Sequence, residues 1–215
     1  KKFLYFPLQT EPEAKILSIS PFFSNQLAVI ENIARSIPVD FILYVKEHPG
    51  QGFKLWRSIE FYKKLIELPN VKLIHPSVNS LNLISQSSCV ISITGSTGFE
   101  ALFYKKPVIL FADEYYDCLS MVTKVNNITS LPTLILKNIT SFEFNNKEFN
   151  ALMNSTNFVS IPIPYFEIMK DALSVSLIQR KNENFILTEK LFINFFRKYQ
   201  ESFELLGTEF KKKIN

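Results

Sequence analysis

The chain of 215 residues is 47% hydrophobic, 14% aromatic and 20% charged, enough for one well-buried domain with an appendage and too short for two full domains. Its net charge of +4 is too mild to mark a nucleic-acid-binding protein. Cys89 and Cys118 follow no metal or redox spacing, which excludes a disulfide scaffold and fits a reducing compartment.

The chain opens on Lys1-Lys2 and runs straight into Phe3-Leu4-Tyr5-Phe6, with no Met and no lead-in, so a piece of a longer protein is expected. Residues 3–6 read as a buried strand that Pro7 ends. Leu27, Ile30, Ile33 and Ala34 recur at helical spacing within 24–36, before Pro38. A second strand is predicted at 39–45, stopped by His48-Pro49-Gly50, followed by a helix at 53–68 and a strand at 71–74. A short helix at 80–86, a strand at 89–94, a helix at 97–104 and a strand at 107–111 complete the regular part.

This alternation predicts an α/β fold, a Rossmann-like parallel sheet with helices on both faces. The strands lack polar–apolar alternation, as expected when both sheet faces are covered. Residues 1–118 form the core in this reading. Residues 119–164, rich in Asn, Ser and Thr, are expected to be a loop-rich continuation with one strand at 134–136. Two C-terminal helices, at 165–178 and 187–212, follow and pack on the core or on a missing N-terminal domain. The second carries an apolar stripe of Leu191, Phe192, Phe195, Phe196, Tyr199, Phe203 and Leu206. Lys211-Lys212-Lys213 reads either as a solvated terminus or as a contact with the anionic inner membrane. No apolar run reaches the roughly 20 residues of a membrane span, and a cytoplasmic location is expected.

Ligands of such sheets bind at the carboxyl ends of the strands, where the loops at 7–13, 46–52 and 94–98 should gather. Gly95-Ser96-Thr97-Gly98 joins a strand to a helix, so its amides and hydroxyls suit a phosphate. Thr97-Gly98-Phe99-Glu100 equally fits a capping box. His48, after a strand and in a Pro-Gly turn, suits a phosphate or sugar oxygen with Lys46 adding charge; the alternative is a turn histidine bonded to nearby backbone. His75-Pro76 lacks charged company and reads as structural. In the loop after the first strand, Gln9, Glu11 and Glu13 are candidate ligands, Glu11 or Glu13 as base or nucleophile; a solvated loop is the alternative. Asp113 and Glu114 end the fifth strand near the same edge, and no spacing demands a metal.

Three segments, taken in order, resemble the capsule polysaccharide biosynthesis family, which includes the Kdo transferases of capsule export. They are Phe6-Pro7-Leu8-Gln9-Thr10-Glu11-Pro12-Glu13-Ala14, Tyr44-Val45-Lys46-Glu47-His48-Pro49, and Thr94-Gly95-Ser96-Thr97-Gly98-Phe99-Glu100-Ala101-Leu102 with Lys106-Pro107-Val108. The resemblance covers about residues 3–118. It implies the donor-binding half of a GT-B glycosyltransferase, two Rossmann-like domains with the active site between them. Its donor would be a nucleotide-activated sugar, CMP-Kdo in the Kdo enzymes, and its acceptor a glycan or glycolipid, with no further cofactor. Lys46 and His48 would contact the donor phosphate, Gly95, Ser96, Thr97 and Gly98 would hold it, and Glu100 would bind ribose hydroxyls. Glu11 and His48 would be the catalytic groups; Thr10 departs from the family's usual Gln. A nucleotide-sugar 2-epimerase, a polyol-phosphate transferase and a non-catalytic nucleotide- or glycan-binding module remain as alternatives.

Overall fold

Strand β1 (Lys2–Pro7) runs through the middle of a six-stranded, all-parallel sheet in a computed structural model that describes residues 2–12, 14–51, 57–177 and 189–214. Glu13 and the 53–56 portion of the predicted helix lie outside the described residues. The other strands are β2 (Phe41–Lys46), β3 (Val71–Ile74), β4 (Cys89–Ser92), β5 (Val108–Leu110) and β6 (Val122–Lys124), in the order β3-β2-β1-β4-β5-β6. The Rossmann-like sheet is therefore doubly wound. The direction of winding reverses between β1 and β4, and a crevice opens there at the carboxyl ends.

Successive residues of β1 enter opposite faces, as a pleated strand requires. Leu4 and Phe6 join Leu43, Val45, Ile91 and Ile109 in one cluster, against α2 (Gln26–Ser36), Leu65 of α3 (Ile59–Glu67) and Ile135 of α6 (Leu131–Thr140). Tyr5, Val90, Val108 and Leu110 meet Ile84 of α4 (Ser80–Gln86) and Ala101 and Leu102 of α5 (Ser96–Phe103) on the other. Burial on both faces explains why no strand alternates in polarity.

Several boundaries differ from expectation for local reasons. Val39, predicted in a strand, is fully exposed within a turn closed by the Phe41 N–H on the Pro38 carbonyl, and β2 starts at Phe41. Residues 14–19 form a short helix, α1 (Ala14–Ile19), that the apolar pattern did not announce. Residues 134–136 are not a strand but lie within α6, whose buried positions Leu131, Ile135 and Asn138 have helical spacing and whose first turn holds Pro132. The sixth strand is instead the short, half-polar β6. The 119–164 segment carries α6 and α7 (Asn146–Val159), because many of its Asn residues cap and turn. Asn127 accepts from the Thr129 N–H at 3.0 Å, and Asn145 from those of Lys147 and Glu148 at 3.1 and 3.2 Å.

The chain divides into two compact units, residues 1–153 and 154–215. In the second, α8 (Tyr165–Leu177), α9 (Glu189–Lys198) and α10 (Gln200–Ile214) replace the two predicted helices, with a break at Tyr199 and with 178 and 187–188 outside the described residues. Buried Tyr199 donates to Asp171 at 2.8 Å, and Lys198 pairs with the same carboxylate at 2.5 Å. Those two contacts hold the Asp171 carboxyl below its ordinary range. Among the described residues no helix is long and apolar enough to cross a membrane.

Two glycines shape the β4–α5 junction. Gly95 has φ 100 and ψ 179, a conformation almost closed to other residues. At Gly98 a Cβ would stand 2.5 Å from the Tyr116 hydroxyl and 3.0 Å from Val108 Cγ1. Tyr116 is fully buried and its hydroxyl is committed to the Gly95 carbonyl, so it has little room to yield. Overpacking costs about 1–3 kcal/mol, against a helix-propensity gain of about 1 kcal/mol for Ala over Gly. Gly98→Ala is therefore expected to lower stability by up to about 2 kcal/mol, read as a lower urea midpoint with an unchanged m-value.

Candidate functional site

The loop after β1 is held by a lattice of side-chain amides. Gln26 and Gln9 bond reciprocally, the Gln9 N–H donating to Gln26 Oε1 at 2.8 Å and Gln26 Nε2 to the Gln9 carbonyl at 3.1 Å. Gln51 does the same with the backbone of Glu11, at 2.8 and 3.0 Å. The Glu11 carboxylate accepts from Gln26 Nε2 at 2.5 Å and pairs with Arg57 Nη1 at 2.5 Å. Both of its oxygens are thus engaged, and the loop is a fixed polar scaffold rather than a solvated one.

Arg57 is the residue that inspection of single motifs missed. Its side chain is only 2% exposed. Nε donates to Glu47 Oε2 at 2.9 Å, Nη2 to the Gln9 carbonyl, and the guanidinium lies 4.9 Å from the centre of the Phe61 ring. Glu47 is equally buried and accepts from the Tyr62 hydroxyl at 2.8 Å and from the His48 N–H at 2.7 Å. Burial, reinforced by the bond to Glu47, pushes the Tyr62 phenol up to about 12, so it stays a donor at neutral pH. A guanidinium and a carboxylate buried together require this full set of partners.

His48 is exposed, and its Nδ1 accepts from the Gly50 N–H at 3.0 Å. The turn-histidine geometry is therefore present. Its consequence is chemical, because an Nδ1 that accepts places the proton of the neutral ring on Nε2 and makes that atom a donor. His75 makes the analogous turn, its Nδ1 accepting from the Ser77 N–H at 3.2 Å. Lys46 ends β2 with only 3% of its surface exposed, and among the described residues its ammonium has no hydrogen bond or ion pair. Burial pulls its pKa down, with Glu47 opposing the shift.

Across the switch point, Gln9 Nε2 donates to the Thr94 carbonyl at 2.8 Å and so joins the β1 loop to the β4–α5 turn. Gly95 is the N-cap of α5, and no side chain caps the helix. The predicted capping box does not form, because the N-cap is Gly95, two residues before Thr97, and Glu100 accepts from the Ser96 hydroxyl at 2.8 Å instead. The N–H groups of Ser96, Thr97 and Gly98 have no acceptor within the helix and none elsewhere among the described residues. The Gly95 N–H donates to Glu114 at 2.5 Å, so Glu114 meets this turn. Asp113 does not; it is paired with Lys124. Among the described residues no group of three or more His, Cys, Asp or Glu side chains is arranged to hold a metal ion.

Two sets of donors thus lie at the carboxyl edge on either side of β1, Lys46 and His48 at the end of β2 and the α5 amides after β4. They are separated by β1 alone, or about 10 Å at two strand spacings. This is the ligand-binding edge of a Rossmann-like domain. The chain belongs to the capsule polysaccharide biosynthesis protein family, whose sequence model matches residues 1–132. Protein FixF of Sinorhizobium fredii is 29% identical over 132 residues, 60% of this chain and 31% of that protein. Among solved structures, the UDP-GlcNAc 2-epimerase of Methanocaldococcus jannaschii, in complex with UDP-GlcNAc and UDP, is similar with a TM-score of 0.50 and 16% identity, over 73% of this chain and 45% of that one. It shares the fold. The β-Kdo 2,7 transferase of Thermosulfurimonas dismutans KpsC is similar with a TM-score of 0.47 and 22% identity, over 74% of this chain and 55% of that one. The chain thus spans from under a third to about half of the proteins it matches.

The state of Lys46 has a measurable consequence. A lysine whose pKa is lower folded than unfolded costs stability at neutral pH, and the cost fades as pH rises from its folded pKa towards the ordinary lysine value. Lys46→Met is expected to melt above wild type at pH 7, with the gap narrowing at alkaline pH. Equal melting temperatures across that range would contradict this account of the buried ammonium.

Proposed function

We propose that the chain is the donor-binding half of a GT-B glycosyltransferase. It would hold a nucleotide-activated sugar for transfer to a bacterial capsule or surface polysaccharide. The observation that carries this reading is the placement of the first-turn amides of α5 and of Lys46, whose ammonium has no hydrogen bond or ion pair among the described residues, on either side of β1 at the switch point. Amides at a helix N-terminus and a cation at one sheet edge suit an anion, and the family membership supports a nucleotide-sugar phosphate as that anion.

In this reading Gly95, Ser96, Thr97 and Gly98 bind the phosphate through backbone and hydroxyl donors, and Lys46 adds positive charge. His48 donates through Nε2–H to the phosphate as negative charge grows on the leaving nucleotide, which is where fixed donors accelerate transfer. Glu100, oriented by Ser96, takes the ribose hydroxyls. Glu11 serves by holding the loop through Arg57 and Gln26. CMP-Kdo is the donor that the sequence resemblance favours. A second Rossmann-like domain and a glycan or glycolipid acceptor complete the cleft, at the cytoplasmic face of the inner membrane.

A thermal-shift titration with CMP, CDP, UDP, GDP and CMP-Kdo tests this reading on wild type and His48→Ala. One nucleotide series is expected to stabilise wild type, by about 2.7 kcal/mol at a hundred times its Kd, and to do so less in the variant. No response to any of them would sink the reading. Epimerisation of UDP-GlcNAc would replace it with an epimerase.

A further inference from the structure

Arg57 touches neither donor set, yet it is bonded to the supports of both. Through Glu47 it reaches His48, since the other oxygen of that carboxylate accepts the His48 N–H at 2.7 Å. Through the Gln9 carbonyl it reaches the second set, since the Gln9 side chain donates to the Thr94 carbonyl at 2.8 Å, one residue before the N-cap of α5. Its third arm holds Glu11, whose backbone is tied to Gln51, and the Gln51 N–H in turn donates to the His48 carbonyl at 3.0 Å. One planar guanidinium therefore meets the loops after β1 and β2 directly and the β4–α5 turn through one residue. A lysine ammonium has no fork with which to reach the Glu47 carboxylate and the Gln9 carbonyl together while staying beside Glu11.

We propose that Arg57 is the positioning residue of the anion cradle, setting the distance between His48 and the α5 amides without contacting the ligand. The inference rests on the donor-site reading above. Misplacing one half of the cradle by about 1 Å weakens whatever is held between the halves by one to two orders of magnitude.

Titration calorimetry with UDP and with CMP, on wild type, Arg57→Lys, His48→Ala and the double variant, tests it. Circular dichroism and the ¹⁵N signals of the His48 ring are read in parallel. Arg57→Lys is expected to fold, to bind about tenfold or more weakly, and to shift the His48 ring signals away from the single Nε2–H tautomer. The double variant should lose distinctly less than the product of the single losses, because part of the effect of Arg57 passes through His48. A folded Arg57→Lys protein with wild-type affinity overturns the proposal, as do fully multiplicative losses with unchanged His48 signals. If Arg57→Lys does not fold, Gln9→Ala removes the side-chain bonds to Thr94 and Ser92 and leaves those of Arg57 to Glu47 and to the Gln9 carbonyl in place. Weaker binding with an unchanged His48 spectrum then supports the proposal, and unchanged affinity overturns it. Absence of UDP and CMP binding by wild type is a separate result, and it overturns the donor-site reading itself.

Discussion

A guanidinium buried between two carboxylates tolerates no partial solution. Arg57 has lost its water, and its charge needs acceptors and counter-charges held close to it. Glu47 and the Gln9 carbonyl supply hydrogen-bond acceptors, and Glu11 adds an ion pair at Nη1. Breaking such a pair leaves an uncompensated buried charge, at about 3–5 kcal/mol. The loops at the carboxyl edge of the sheet are therefore not free to choose their own conformations. Gln26, Gln51 and Tyr62 complete the set from neighbouring elements. What looks like a collection of surface loops is a single polar core at the end of the sheet.

That rigidity suits anion binding. Donors that are already oriented lose little freedom when a ligand arrives, so more of the contact energy appears as affinity. The Gly95 turn belongs to the same arrangement. Its φ of 100 is held by Glu114 on the N–H, by Tyr116 on the carbonyl, and by Gln9 on the residue before it. Strain of this kind persists only where the surroundings over-determine it.

Much of this was legible in the sequence, and the reasons for the rest are specific. Strands β1 to β5 and their trailing loops are read from apolar runs ended by Pro, Gly and Ser, so the meeting of 7–12, 46–51 and 94–98 at one edge follows from topology alone. Helix α6 escaped because Leu134-Ile135-Leu136 is a short apolar run that fits a strand or a buried helix equally, although Leu131, Ile135 and Asn138 already marked a helical face. Strand β6 carries only Val122, Thr123 and Lys124, too few and too polar for a pattern. Arg57 escaped because its partners lie 10, 46 and 48 positions away in Glu47, Glu11 and Gln9, and only the folded chain brings them together. The capping box failed because the N-cap is Gly95, two residues before Thr97.

The first-turn amides of α5 belong to the main chain, and this decides how the site yields to experiment. Replacing Ser96 or Thr97 by alanine removes a hydroxyl and leaves the N–H groups where they are. Scanning side chains along this helix will therefore understate it. The positions that reach it are those that bend the backbone: Gly95 through its φ, Gly98 through the space it leaves for Tyr116, and Gln9 through the Thr94 carbonyl. An amide cradle can drift in side-chain identity and still present the same row of N–H groups, provided its hinges are kept.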